Sequence, residues 1–586
     1  MEQITQLRQL MKEHNISAYY IPSSDFHNSE YVGEHFRCRQ FISGFSGSAG
    51  EVVITQDSAG LWTDGRYFIQ AEQELAGTGI TLFKIGAPDS MKLTEFLAEN
   101  MPNGSKLGFD GRVVGLKCGE DFAQKLAAKD IEIIFNIDLV GQVWSNRPAL
   151  PTSKAFFLDT KYSGKSASDK LADLRKKMAE YKADNHIITT LDDIAWLFNI
   201  RGNDIACFPV VLAYAVITTT EAFLFIDKNK IDTDIEGVSI LPYNEIYSFV
   251  SSLCGSVLID PASVNFALIS NLSNEISLIK KPNPTTLAKA IKNDVELENI
   301  RRSHLRDGVA CTRFMYWLKS NVATSSITEV DAANKILQLR SELELYIEPS
   351  FPPISAYGAN AAIMHYQASD ANCATLKPSN LYLLDSGGQY FDGTTDITRT
   401  FALGEISDIE RTHFTAVLKG MLRLSNAKFL HGVRGLNLDI LARSPIWELD
   451  LDYRSGTGHG IGFVLNVHEG PNGFRWKIVA ERNDSCVLEP GMVTTNEPGI
   501  YIEGSHGIRI ENELVVKEGA NNEYGQFLEF ETVTFAPIDL DAIDISQLSS
   551  SDKTYLNAYH KLVFDKLSPY FSGEELEFLK TYTREI

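Results

Sequence analysis

The chain has 586 residues, of which 44% are hydrophobic and 22% charged, with a formal net charge of −22. That length exceeds one hydrophobic core, so two or three domains are expected. The acidity, with no basic run anywhere, excludes nucleic acid as a partner, because phosphate binding needs clustered Lys and Arg.

The N-terminal run MEQITQLRQLMKEHNISAYYIP reads as an amphipathic helix leading into a strand, without the uninterrupted apolar region of a signal peptide. Helix and strand patterns then recur. LRQLM at Leu7–Met11 runs into NISAYYIP, and LRKKM at Leu174–Met178 runs into ADNHIITT; 174 minus 7 gives a spacing of 167 residues. The segment 41–68 has a weaker counterpart at 196–227, each reading as loop, strand, turn, strand. These repeats predict two related α/β domains, at 1–150 and 151–285. The most apolar stretch, Ala206 to Ile226, contains Pro209, three threonines and Glu221, so it reads as strands and no membrane span is expected. The seven cysteines (38, 118, 207, 254, 311, 373, 486) are odd in number and never spaced CxxC. That pattern opposes a disulfide framework or zinc knuckle and fits a reducing cytoplasm.

Beyond Pro282 and Pro284 a long apolar-periodic helix begins. From 286 to 586 the pattern is that of one α+β domain with long antiparallel hairpins and a helical tail. In 381–403 Asp385 ends an apolar strand and Asp396 lies in the returning one. In 493–516 the turn centres on Gly504, from which Glu497 and Glu511 are equidistant, so they are expected to face each other across the ladder. Like charges so placed are destabilising. They need a cation or a shared proton. His459, in SGTGHGIGF, sits among glycines whose missing Cβ atoms permit close approach to a crowded centre.

Singly, each of these residues also reads as an ordinary turn or solvated position; the ordered set D-x10-D, H, E-x13-E is what is specific. Four carboxylates and one imidazole, without thiolate, suit two divalent ions, manganese first and cobalt or zinc next. Two such ions can hold a bridging hydroxide and clamp both oxygens of a tetrahedral intermediate. GFSGSAG (44–50) is not a G-x-S-x-G elbow, GTGHGIG (456–462) is not G-x-G-x-x-G, and His468–Glu469 is not followed by the second histidine of HExxH.

The stretches LLDSGGQYFDGTTDITRTF, GTGHGIGFVLNVHEGP, TTNEPGIY and GIRIENELVV, with YIPSSDFHNSEY, ISGFSGSAG and LWTDGRYF near the N-terminus, resemble the pita-bread metallopeptidases. The resemblance is strongest to the cytosolic three-domain aminopeptidase P branch and spans nearly the whole chain. It implies two creatinase-like N-terminal domains of related fold and a pita-bread catalytic domain. It further implies a metal set in which Asp385 binds one ion, Asp396 and Glu511 bridge, and His459 and Glu497 complete a sphere, Glu497 also relaying a proton. By the same resemblance His365 contacts substrate beside the scissile bond, His468 polarises its carbonyl, and Arg66 takes part in peptide binding. Ser455 departs from the pattern, standing where many relatives have a histidine.

The implied activity is metal-dependent removal of the first residue from peptides with proline second. The alternatives are a prolidase restricted to Xaa-Pro dipeptides and a non-catalytic peptide-binding module of the same fold. A homodimer is also implied; the apolar stripe Tyr555, Leu556, Tyr559, Leu562 and Val563 of the tail is compatible with it and equally with capping its own domain.

Overall fold

A computed structural model describes residues 1–479 and 485–586. The chain folds as two compact units, one of residues 1–158 and 165–285, the other of 159–164 and 286–586.

The first unit contains both expected α/β repeats, each built on a six-stranded sheet. Numbered along its own sheet, each set of strands lies in the order 4-3-2-1-5-6. In both sheets strands 1–2 and 2–3 pair antiparallel, while 1–5, 3–4 and 5–6 pair parallel. Identical order with identical polarity is the signature of duplication, and the spacing read from sequence recurs in detail. The helix Glu2–Glu13 buries Leu7 and Met11, and the helix Ala167–Tyr181 buries Leu174 and Met178. Each is followed by a residue in the left-handed region, Asn15 (φ 55) and Lys182 (φ 58), which turns the chain into the first strand of its sheet. The apolar stretch ending at Ile226 forms the hairpin Ala213–Thr218 and Ala222–Ile226. Among the described residues no disulfide joins any of the seven cysteines, and no helix is long and apolar enough to cross a membrane.

The second unit is α+β, its named strands pairing antiparallel throughout. The prolines at 282 and 284 precede a short helix, Pro284–Ala290, and then a 28-residue helix, Asp294–Asn321. Asn293 starts the long helix by accepting from the backbone of Val295 and Glu296, while Glu296 reaches back to the Asn293 N–H.

Midway along that helix Asp307 is buried against Arg340, whose Nε donates to Asp307 Oδ1 at 2.6 Å, and against Tyr390, whose hydroxyl donates at 2.7 Å. Arg340 Nη2 also donates to Ser386 O at 3.1 Å, so the long helix, the helix Glu329–Ser341 and the first hairpin share one buried ion pair.

Of the two uses open to the apolar stripe of the tail, the structure shows the capping of its own domain. Leu556, Tyr559 and Val563 are buried in the unit's own core, and Tyr555 and Leu562 pack against it. The tail helix Ser550–Leu567 therefore spends its apolar face on its own domain.

Removing one member of a buried ion pair strands the other without solvent. Asp307→Ala is expected to lower unfolding free energy by about 3–5 kcal/mol, measured by denaturant titration, because Arg340 and the Tyr390 hydroxyl lose their shared acceptor.

Candidate metal centre

The two hairpins share one design. In the first, Leu381 to Ser386 pairs with Ile397 to Ala402, and the same register resumes at Gln389↔Thr394 and Tyr390↔Gly393 in a different sheet. Between them the ladder is interrupted at Gly387 and at Thr395–Asp396. A Cβ at Gly387 would lie 1.8 Å from Thr395 O, so only glycine allows the crossing.

In the second hairpin, Val493 to Asn496 pairs with Asn512 to Val515, and Gly499 to Ile502 pairs with His506 to Arg509 in a separate ladder. Every partner pair is equidistant from Gly504 (φ 73), as the sequence predicts. Glu497 and Glu511 obey that symmetry but are not ladder partners. They sit where the hairpin leaves one sheet for another.

At such a break the backbone groups must bond elsewhere. The Asp396 N–H donates to Glu513 Oε1 at 2.7 Å, the Glu511 N–H to Thr398 O at 3.1 Å, and the Glu497 N–H to Thr457 O at 2.8 Å. The three carboxylate-bearing segments are thus tied crosswise to one another and to the His459 loop.

That loop is anchored from behind. Arg443 and Asp439, both buried, hold it through Arg443 Nη2 to Ser455 O (3.2 Å) and Thr457 Oγ1 to Asp439 Oδ1 (2.5 Å). Ser455 thus offers its backbone carbonyl to Arg443. A Cβ at Gly458 would meet Thr495 O at 2.0 Å, confirming why glycine flanks the imidazole.

The structure brings Asp396, His459 and Glu511 together, with a ligand atom of each within 4.8 Å of the others. His459 Nδ1 donates to Gly460 O at 2.9 Å, which leaves Nε2 with its lone pair toward the carboxylates. Nε2 lies 3.4 Å from Glu497 Oε1 and 3.6 Å from Asp396 Oδ2. Asp385 is held at Oδ2 by Arg509 Nη2 (2.6 Å), and Glu511 at Oε2 by the Thr398 hydroxyl (2.7 Å). Their other oxygens, with Asp396 Oδ1, are buried and accept no hydrogen bond from the protein. Buried carboxylates with unengaged oxygens, two of them grouped with an imidazole, fit divalent cations.

The electrostatics agree. Burial and then Glu511, Asp385 and Glu497 hold the Asp396 carboxyl well above its usual range, and burial with Glu497 and Asp385 does the same to Glu511. Burial raises Glu497 to about 7, with Arg509 acting in the opposite sense.

His468 packs edge-on against His459, ring centroids 4.3 Å apart. The segment between them passes through Val464, a buried β-branched residue in the left-handed region (φ 51), and is pinned by Gln389 Nε2 to Leu465 O at 2.8 Å. His365 lies half-buried in the turn after the 3-10 helix Gly358–Ala362. Arg66 belongs to the first unit, where it ion-pairs with Asp64 (2.8 Å) and Glu30 (3.8 Å).

The sequence reading passed over Arg509, which pairs with Asp385, and Glu513, which receives the Asp396 N–H and lies 3.1 Å from His304 Nε2. Strand alternation carried the signal, since 509, 511 and 513 recur at every second position.

Known proteins echo this arrangement. Residues 298–518 match metallopeptidase family M24, residues 3–136 and 146–296 each match a creatinase/prolidase N-terminal domain, and 526–586 match the C-terminal region of peptidase M24. A Laccaria bicolor protein named "Probable Xaa-Pro aminopeptidase P" is 40% identical over 99% of this chain and 92% of its own length. Aminopeptidase P1 of Arabidopsis thaliana is 38% identical over 100% and 99% respectively. The crystal structure of the X-prolyl aminopeptidase of Caenorhabditis elegans, described as a cytosolic enzyme with a di-nuclear active site, superposes with a TM-score of 0.94 at 35% identity, covering 100% of this chain and 99% of that one.

A carboxyl whose pKa is raised on folding binds protons the unfolded chain does not, so stability falls as pH rises through the folded value. For Glu497 that window runs from its ordinary 4.5 to about 7. Chelator-treated protein is therefore expected to melt at a higher temperature at pH 6 than at pH 8, each raised unit contributing about 1.4 kcal/mol. Glu497→Gln should flatten that slope, as followed by calorimetry.

Proposed function

The chain belongs to metallopeptidase family M24, among the Xaa-Pro aminopeptidases P, and from that membership we propose which of its residues perform the activity. It is a metal-dependent aminopeptidase that hydrolyses the N-terminal Xaa-Pro bond of peptides. The observation that carries the site assignment is the convergence of Asp396, His459 and Glu511 with buried, unengaged carboxylate oxygens. Asp385, Asp396, His459, Glu497 and Glu511 would hold two divalent ions, with manganese the best match to so oxygen-rich a donor set. Bound there, the ions supply Lewis-acid polarisation of the scissile carbonyl and lower the pKa of water.

The chain's own groups do the rest. Glu497 would accept a proton from the attacking water at its carboxylate and pass it to the proline nitrogen as the C–N bond breaks. His468, beside His459, donates to the carbonyl oxygen as charge develops there, and His365 frames the proline ring. Arg509 fixes the Asp385 carboxylate from the side away from its unengaged oxygen. Arg66 is proposed to take part in peptide binding.

An Xaa-Pro bond has no N–H, so a protease that draws the substrate into a hydrogen-bonded strand cannot use it. A site built on carbonyl polarisation needs no such donor, and its carboxylates suit a cationic α-amine. Domain limits of 1–150, 151–285 and 286–586, a cytoplasmic location and a homodimer complete the proposal. For the dimer, the exposed Trp447 and Trp476, ring centroids 6.1 Å apart, offer an apolar surface that the tail helix does not.

Asp396→Asn is expected to abolish turnover and most bound metal while circular dichroism stays unchanged, because an amide cannot supply the bridging charge. Retention of both ions by the folded variant would remove Asp396 from the centre.

Peptides of the form Xaa-Pro-Xaa with a free N-terminus should release their first residue, and alanine in place of proline should cost at least about tenfold in kcat/KM, or 1.4 kcal/mol. N-acetylation should abolish cleavage. Faster hydrolysis of Xaa-Pro dipeptides than of tripeptides would favour the prolidase reading instead.

A further inference from the structure

Glu511 interrupts its own ladder, so its backbone is held by other segments. Its N–H goes to Thr398 O, and its carbonyl accepts from Arg399 Nη1 at 2.5 Å. Arg399 is buried, and its remaining donors fan out beyond the hairpins. Nε reaches Pro537 O (3.1 Å), and Nη2 reaches Asn512 Oδ1 (2.8 Å), Ala536 O (2.9 Å) and the Tyr559 hydroxyl (2.7 Å). The Tyr559 oxygen in turn lies 2.8 Å from Ala536 O, 3.2 Å from Thr534 O and 3.3 Å from Asn512 Oδ1.

Residues 534–537 and Tyr559 all belong to the C-terminal region that follows the metal-site strands. That region thus supplies three of the acceptors that orient the guanidinium, and the guanidinium fixes both Glu511 and its neighbour Asn512. Arginine suits this role because its planar fork presents several N–H groups in fixed directions, and a buried fork left partly unpaired would swing toward other carbonyls.

We infer, resting on the metal centre proposed above, that the C-terminal helix Ser550–Leu567 is a working part of that centre. Tyr559 is a positioning residue that acts through Arg399 to set the Glu511 carboxylate for metal binding. It touches neither substrate nor metal. Its hydroxyl fixes the arginine, the arginine fixes the Glu511 carbonyl and the Asn512 side chain, and the Thr398 hydroxyl then meets a carboxylate already in place.

A second role for the same helix, plain packing, is carried by different atoms. Leu556, Val563 and Leu567 are fully buried in the hydrophobic core and bond to nothing in the Arg399 network. The two roles can therefore be separated by substitution.

Chelator-treated wild type, Tyr559→Phe, Arg399→Lys and Val563→Ala would be titrated with Mn2+ by calorimetry, and their melting temperatures recorded. Tyr559→Phe keeps the ring and loses only the hydroxyl; it is expected to bind the ion about tenfold more weakly, with turnover restored at high Mn2+. Arg399→Lys keeps the charge, loses the fork and should weaken binding likewise, so the result stands even if one variant folds poorly. Val563→Ala should lower the melting temperature while binding Mn2+ as the wild type does. Wild-type affinity in both Tyr559→Phe and Arg399→Lys would overturn the inference, as would a loss in Val563→Ala equal to theirs. Should Asp396→Asn also keep its ions, the metal centre itself is misplaced; should Asp396→Asn lose them while Tyr559→Phe does not, only the role of the C-terminal helix falls.

Discussion

Mutual repulsion among buried carboxylates is the constraint to which the centre of the catalytic unit answers. Two unit charges 4 Å apart at an effective dielectric of 20 repel by about 4 kcal/mol. Here Asp396 feels Glu511, Asp385 and Glu497, Glu511 feels Glu497 and Asp385, and Glu497 feels Asp385. Arg509 offsets part of this at Asp385, and the Thr398 hydroxyl satisfies one oxygen of Glu511. Neither neutralises the cluster. Such a group of residues persists at neutral pH with cations between the oxygens or with protons on some of them, and the raised carboxyls register that choice.

What keeps the groups from moving apart is backbone. Each carboxylate-bearing segment donates its N–H to a different element of the site: Asp396 to Glu513, Glu511 to Thr398, Glu497 to Thr457. These bonds would ordinarily run along a hairpin ladder and hold two strands. Redirected, they hold three segments far apart in sequence, and the repulsion is carried by the sheets rather than by side-chain rotamers. Behind them the buried pairs Asp307–Arg340 and Asp439–Arg443 fix the helices that back the two hairpins and the histidine loop.

Much of this was legible in the sequence, and the limits have physical causes. The symmetry of the second hairpin about Gly504 could be read because antiparallel register follows from index alone, and every observed partner pair obeys it. The interruption at Glu497 and Glu511 could not, because it depends on bonds to Thr457 and Thr398 in other segments. The spacing of 167 between Leu7 and Leu174 exposed the duplication, since the same apolar positions face the core of each repeat. The strand order 4-3-2-1-5-6 was beyond it, being fixed by crossovers rather than by local pattern. The tail helix left two readings open for a related reason: an apolar stripe records that a face is buried, not which surface covers it. Arg509 and Glu513 went unnoticed beside Glu511 because a charged residue in a strand reads as solvated until its partner is seen.

The breaks in the two hairpins are what a centre of this composition requires. In an uninterrupted ladder, alternate side chains stand side by side along a face, and opposite residues keep a separation fixed by the sheet at about 4.5–5.5 Å. Such a row can present carboxylates in a line but cannot bring those of two hairpins and an imidazole from a third segment to a common point. By passing from one sheet to another at Gly387 and Asp396, and again at Glu497 and Glu511, the hairpins take Asp396, Glu497 and Glu511 out of the row, while Asp385 keeps its ladder partner Thr398 beside the first break. The crossing frees backbone groups, and those same groups become the ties between segments. The distortion that gathers the ligands and the bonding that holds them gathered are therefore one feature.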